Sequence, residues 1–510
     1  MKNLKFIYIS IGILAFTACN EPEDVDLSPE VIVEEQVELT AGSADFSNYV
    51  ALGNSLTAGF TDNALFQAGQ SMSLPNLLSQ KFSLVGGGSF VQPLTNDNIG
   101  GLAAGGARIQ DPRLVFGGAG PVPLESVIGP VTVSTDIVLN NPTGPFNNLG
   151  VPGAKSFHLL APGYGNLANV QLGLANPYFV RMTGSTPDIS VLEMAVSQAP
   201  SFFSLWIGNN DVLGYATSGG DGTNPITPVS GVPGVGFDGS YGALIATLTA
   251  GGAQGVVANI PNVVDIPHFT TVPHNPVPLD AATAAAVNNA YAQYNGGLQA
   301  AFGALAGTGL FTEEELEART ISFAEGSNNA VVIEDETLTD LGAINPAFAA
   351  LPKLRQATEN DLLVLPASSF IGTLADPNNP LSVNGVAIPL SDKWVLLPSE
   401  QEEIAVATEA FNQIIESTAA QAGLALVDAN SLLKQLANGG ITSGDFTLTS
   451  SLVTGSAFSL DGVHPTARGY ALLANEFMKA IDATYGSNFE ASGNLLNVGD
   501  YPTNYSPALQ

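Results

Sequence analysis

Four short runs that are apolar almost throughout constrain this 510-residue chain most: Tyr49–Gly53, Phe202–Ile207, Gly255–Ile260 and Leu424–Asp428. Runs of this kind, without polar alternation, are expected of strands buried on both faces. Helical stretches lie between them. One covers 71–84, with Leu74, Leu77, Leu78 and Phe82 on one side; others cover 188–199 and 241–249. A long alanine-rich helix is predicted over 280–302. Thr312 is placed to cap an acidic helix over 313–319, where carboxylates favour the first turn. Two more helices are predicted over 400–422 and from Pro465 or Thr466 to about Ala483, with Pro465 suited to the first helical position. Strands alternating with helices predict an α/β domain with a parallel central sheet. The alternation is interrupted near 86–146, 214–240 and 308–398, and no internal repeat is found. One elaborated domain over 46–485 is therefore expected, followed by an irregular tail over 486–510. The 55 glycines and 33 prolines, without a collagen period, fit many turns and long loops.

The N-terminus reads as an address. Lys2 and Lys5 precede the apolar run Phe6–Phe16, and small residues lead to Cys19. This is the layout of a secretory signal over 1–18. It is too short for a spanning helix, which needs roughly 20 apolar residues. Cys19 is the only cysteine, which excludes an intrachain disulfide and any multi-cysteine metal site. Its position resembles a bacterial lipoprotein processing box, with cleavage before Cys19 and acylation of it, although Phe16 stands where an aliphatic residue is usual. A secreted protein with a stray cysteine is the plainer alternative. Residues 19–45 carry Glu21, Glu23, Asp24, Asp26, Glu30, Glu34, Glu35 and Glu38, as a solvated tether would. Acidic residues directly after the cysteine also resemble the surface-export signal of Bacteroidetes lipoproteins. With 14 Lys and Arg against 46 Asp and Glu, the net charge of −32 disfavours nucleic acid and anionic bilayers. Attachment to a membrane would rest on the acyl chains at Cys19. The expected location is the outer membrane, with exposure at the cell surface.

Ser55 follows the first strand and opens a helix, between Gly53 and Gly59. A hydroxyl is a weak nucleophile at neutral pH and needs a base, while free N–H groups at a helix start can hold an oxyanion. A serine before a helix is more commonly a cap. The chain has four histidines, and His464 lies three residues after Asp461 across a glycine turn. Asp461 could accept the Nδ1 proton of His464 and leave Nε2 facing a serine. A surface histidine beside a turn-capping aspartate is the bland alternative. Two polar turns, Asn148–Gly153 and Gly208–Asp211, offer amide donors, or simply backbone permissiveness. His268 and His274, six residues apart, are weak evidence for a metal, and no EF-hand pattern is present.

In this order, Gly53-Asn54-Ser55-Leu56, Asn148 through Gly153, Gly208-Asn209-Asn210-Asp211 and Asp461 through His464 resemble the four motifs of the SGNH/GDSL hydrolase family of esterases and lipases. The resemblance covers roughly 46–85, 146–270 and 399–485. It implies a three-layer α/β/α fold with large loop insertions. It also implies Ser55 as nucleophile, His464 as base, Asp461 as its carboxylate partner, and Ser55, Gly153 and Asn210 as oxyanion donors. No cofactor or metal is implied. The substrate would be a carboxylic ester of a lipid, a short acyl group or an acetylated glycan. Asn54 departs from the family's usual Asp, which touches local hydrogen bonding more than mechanism. An Asp461→Asn change is expected to be milder than loss of Ser55 or His464. The reading from another class is a surface lipoprotein that binds glycan or protein through its inserts on an inactive hydrolase scaffold.

Overall fold

The computed structural model describes residues 37–510; the expected signal, Cys19 and the tether up to residue 36 lie outside the described residues. Five strands form the main sheet: β1 (Tyr49–Gly53), β2 (Asn148–Gly150), β3 (Phe202–Trp206), β4 (Gln254–Ala258) and β5 (Ala425–Val427). Their spatial order is β2-β1-β3-β4-β5, and every neighbouring pair is parallel. Leu52 of β1 stands in register with Leu149 on one side and Leu205 on the other.

Helices cover both faces of this sheet, which explains why its strands are apolar without alternation. The helices that bear on the site are α1 (Ser55–Ala58), α2 (Leu74–Phe82), α3 (Val191–Val196), α4 (Asn209–Thr217), α5 (Phe237–Thr249), α6 (Pro398–Ala422), α7 (Ala429–Ala437) and α8 (Ala467–Tyr485). Tyr49, Ala51, Phe202 and Trp206 turn to one face and pack with Leu77, Leu78 and Phe82 of α2 and Phe477 and Ile481 of α8. Val50, Leu52, Phe203 and Leu205 turn to the other and pack with Leu244 of α5 and Phe411 and Ile415 of α6. Truncating a fully buried ring such as Phe203 to Ala would cost about 3–5 kcal/mol. The molecule is thus a mixed α/β fold with a central parallel sheet flanked by helices and interrupted by loop insertions.

The chain leaves β1 toward α2 on one face and β3 toward α5 on the other. The carboxyl ends of β1 and β3 therefore flank a topological switch point, where open α/β sheets form a crevice.

Several boundaries differ from the sequence reading. Asn148–Gly150, expected as part of a turn, is edge strand β2. Its composition answers to close approach rather than to β propensity. A Cβ on Gly150 would lie 2.3 Å from the backbone nitrogen of Ala58, and the Asn148 side chain donates to the Thr57 carbonyl at 3.0 Å. Pro465 precedes α8 instead of opening it, because Thr466 is the cap and accepts from the Gly469 N–H. The stretch 188–199 is helical only over Val191–Val196, started by a Ser190–Glu193 capping box. α4 runs on to Thr217 and α5 begins at Phe237, so the glycine-rich insert is shorter than expected. The inserts near 86–146 and 308–398 hold short two-stranded antiparallel pairs, 3-10 turns and short helices. The tail after Tyr485 is irregular yet anchored: Phe489 and Val498 are buried, and the fully buried Arg113 donates to the carbonyls of Ser506 and Leu509.

Candidate active site

Ser55 is the first residue of α1, immediately past the carboxyl end of β1. Asn54 makes that helix start possible, since its Oδ1 accepts the Leu56 N–H at 3.0 Å. Its Nδ2 donates to Oδ1 of Asn209 at 3.2 Å, across the neighbouring strand end. A carboxylate at 54 would keep the cap but could not donate, so the departure from Asp is matched by Asn209, whose amide oxygen receives the extra proton.

His464 and Asp461 arrive from the turn before α8. His464 Nε2 lies 2.9 Å from Ser55 Oγ, and His464 Nδ1 lies 2.9 Å from Asp461 Oδ2. Ser55 and the Asp461 carboxylate are buried, while the imidazole keeps a small exposed edge. Asp461 also accepts the N–H groups of Val463 and His464 on Oδ1 and that of Asn63 on Oδ2, each at 2.8 Å. Burial alone would raise its pKa. The His464 charge and these bonds outweigh burial and hold the carboxyl well below the usual range. The Phe60 ring packs beside the imidazole at 4.6 Å between centroids.

Asn210 is the second residue of α4, at the carboxyl end of β3. It lines the same groove as Ser55 and His464. One of its Nδ2 protons goes to the Ala154 carbonyl at 2.9 Å, leaving the other unassigned. Gly153, next to Ala154, sits in the loop just past β2. The backbone N–H groups of Ser55 and Gly153 have no hydrogen-bond partner among the described residues. Ser55, His464, Asp461 and Asn210 thus meet in one place, with Gly153 tied to Asn210 through its neighbour.

Three side chains that the sequence reading gave no such role support this arrangement. Asp211 is fully buried and accepts both the N–H and the hydroxyl of Ser156, at 2.8 and 2.7 Å. It fixes the Gly153 loop to the start of α4. Burial raises its pKa, against the pull of those bonds. His268, noted only as a weak metal ligand, donates its backbone N–H to Gly462 at 2.9 Å and packs under the Asp461–His464 turn. Burial pushes its pKa down to about 4, against the charge of Asp461, so the ring is neutral at pH 7. Asp62, also buried, accepts the Leu460 N–H at 3.1 Å. Its pKa is raised to about 7, first by burial, with the Leu460 bond opposing and the Asp461 charge adding.

An apolar groove opens beside Ser55, between α4, the 261–266 turn, α7 and α8. Its walls include Leu213, Ile266, Leu432, Leu436, Phe458 and Leu473, and its empty space out to the mouth is about 860 Å³. The polar groups on it gather at one end, around Ser55, Asn210 and His464. No helix among the described residues is long and apolar enough to cross a membrane. The chain matches no protein-family model, no curated protein and no solved structure.

Proposed function

We propose that this protein is a serine hydrolase that cleaves carboxylic esters through an acyl-enzyme, on an SGNH-type version of its α/β/α architecture. The observation that carries the reading is the unbroken chain Ser55 Oγ–His464 Nε2–His464 Nδ1–Asp461, with 2.9 Å at both links. In the first half-reaction Oγ attacks the ester carbonyl as its proton passes to Nε2. Asp461 holds Nδ1–H and stabilises the imidazolium that forms. The negative oxygen of the tetrahedral intermediate is received by the Ser55 and Gly153 N–H groups and the second Nδ2 proton of Asn210. Collapse breaks the C–O bond, and the departing alkoxide takes the proton from Nε2. Water, deprotonated by the same nitrogen, then attacks the acyl-enzyme and restores Ser55 Oγ–H with release of the acid.

The groove supports an acyl group with an apolar chain as the preferred substrate part. Each methylene moved from water into such a site contributes about 0.8 kcal/mol. Attachment to the outer membrane through acylated Cys19 belongs to the same proposal and is tested by intact mass and lipid labelling of the mature N-terminus.

The deciding experiment is a panel of p-nitrophenyl esters from acetyl to long-chain acyl, with acetylated glycans, run on wild type and Ser55→Ala. Labelling by a fluorophosphonate probe reports the nucleophile directly. Turnover and labelling in wild type, both lost in folded Ser55→Ala, are expected. Folded wild type without either would leave the inserts as a binding surface on an inactive scaffold.

A further inference from the structure

Away from Ser55, three carboxylates from separate segments converge. Glu336 follows the short strand Val332–Glu334, Asp392 opens the 3-10 turn Asp392–Trp394, and Glu400 is in the first turn of α6. One oxygen from each lies within 4.8 Å of the other two. None of the three is in an ion pair among the described residues.

A cluster of this kind on a very acidic protein would mean little if its oxygens were solvated. Here they are not. Glu400 is only 3% exposed. Its Oε2 accepts the Leu397 N–H at 2.6 Å, while its Oε1 is buried without a partner among the described residues. Asp392 Oδ1 is likewise buried and unpartnered. The glycine-rich loop after α4 presses on both: a Cβ on Gly220 would lie 2.0 Å from Glu400 Oε1, and one on Gly219 would lie 2.1 Å from the Asp392 carbonyl.

We infer that Glu336, Asp392 and Glu400 form a calcium site that clips the 308–398 insert to the start of α6, beneath the loop after α4. Hard carboxylate oxygens are the ligands Ca²⁺ takes, in flexible sets of six to eight completed by carbonyls and water. Two inward oxygens and the exposed Glu336 give such a set an inner wall and a wet mouth. Mg²⁺ demands near-ideal octahedral geometry, which three carboxylates from three separate segments are poorly placed to give. A shared proton is the competing way to relieve the repulsion, but one proton serves one oxygen pair and leaves the other buried oxygen bare.

The test uses the full chain stripped with EDTA, titrated calorimetrically with CaCl₂ or MgCl₂ and probed by Tb³⁺ luminescence, with Trp394 as a nearby sensitiser. One equivalent of Ca²⁺ should bind and raise Tm by a few degrees, with MgCl₂ much weaker. Glu336→Gln, at the exposed position, and Asp392→Asn should each lose Ca²⁺ affinity by at least about tenfold while keeping the stripped protein's fold. Three results would overturn the inference. One is no heat, Tm change or Tb³⁺ signal up to on the order of 10 mM, beyond the weakest class of calcium modules. Another is a Glu336→Gln protein whose Tm still exceeds wild type in saturating CaCl₂, the mark of a shared proton. The third is equal binding of MgCl₂. Ester turnover is read separately, so failure here leaves the hydrolase proposal standing.

Discussion

Asp461→Asn tests the site at its most constrained atom pair. The carboxylate accepts on both oxygens: Val463 N–H and His464 N–H on Oδ1, His464 Nδ1 and Asn63 N–H on Oδ2. An amide has one acceptor oxygen. Two backbone donors fix that oxygen at the Oδ1 position, which turns the NH₂ toward His464 Nδ1. Nδ1 then has to accept, so the imidazole proton moves to Nε2 and points at Ser55 Oγ. The proposed base is converted into a donor. In serine hydrolases of unrelated fold this tautomer error lowers turnover by about 10⁴, equivalent to about 5 kcal/mol at the transition state. The mild effect expected from sequence is thereby reversed: Asn should be as damaging as loss of His464. The assay is kcat and KM on one soluble ester from pH 5 to 10, with fluorophosphonate labelling and circular dichroism alongside. KM should change little, because the loss falls on a step after binding. A folded Asp461→Asn protein within about tenfold of wild-type kcat would refute the tautomer argument while leaving Ser55 as nucleophile.

Three further outcomes follow from the same geometry. Asn210→Ala should lower kcat by about 10²–10³ with KM nearly constant, since it removes one of the proposed oxyanion donors; calorimetry should also show a small loss of stability from the missing bond to Ala154. Leu436→Trp, in the groove wall, should shorten the preferred acyl chain, each excluded methylene costing up to about 0.8 kcal/mol or fourfold in kcat/KM, as read from an ester series. Asp62 binds its proton more tightly folded than unfolded, so native protein carries more protons than unfolded between about pH 4 and 7, and stability falls as pH rises through that window. Asp62→Asn keeps an oxygen for Leu460 and tolerates the positive φ of 50°; its unfolding free energy against pH should be flatter and should exceed wild type at pH 8, and equal slopes would show that Asp62 is not the group responsible.

The fold was legible where burial wrote it into composition. Tyr49–Gly53 and Phe202–Trp206 are apolar because helices cover them on both sides, and the sequence pattern carries that signal directly. β2 was not legible, because Asn148 and Gly150 are chosen by contact with α1 and resemble a turn. Ser55, Asp461 and His464 were identifiable as a set only through motif order; alone, each has a bland reading as a cap or a surface group. Asp211 and His268 act through contacts with residues 55 and 194 positions away, Ser156 and Gly462, which no local pattern reports. The same holds for Glu336, Asp392 and Glu400, three unremarkable acids among 46 until folding brings them together.

The separation of Ser55 from His464 also has a meaning in time. They lie 409 residues apart in the chain. At about 5–20 residues per second, a ribosome needs roughly 20–80 s to travel between them. Throughout that interval Ser55 exists without the imidazole beside it, and β1 lacks the cover of α8, which is made last. Contacts of such long range form late and slowly. On the proposed mechanism the nascent protein would therefore be chemically silent until its final helix docks, and any product cut short before residue 464 would carry an idle serine.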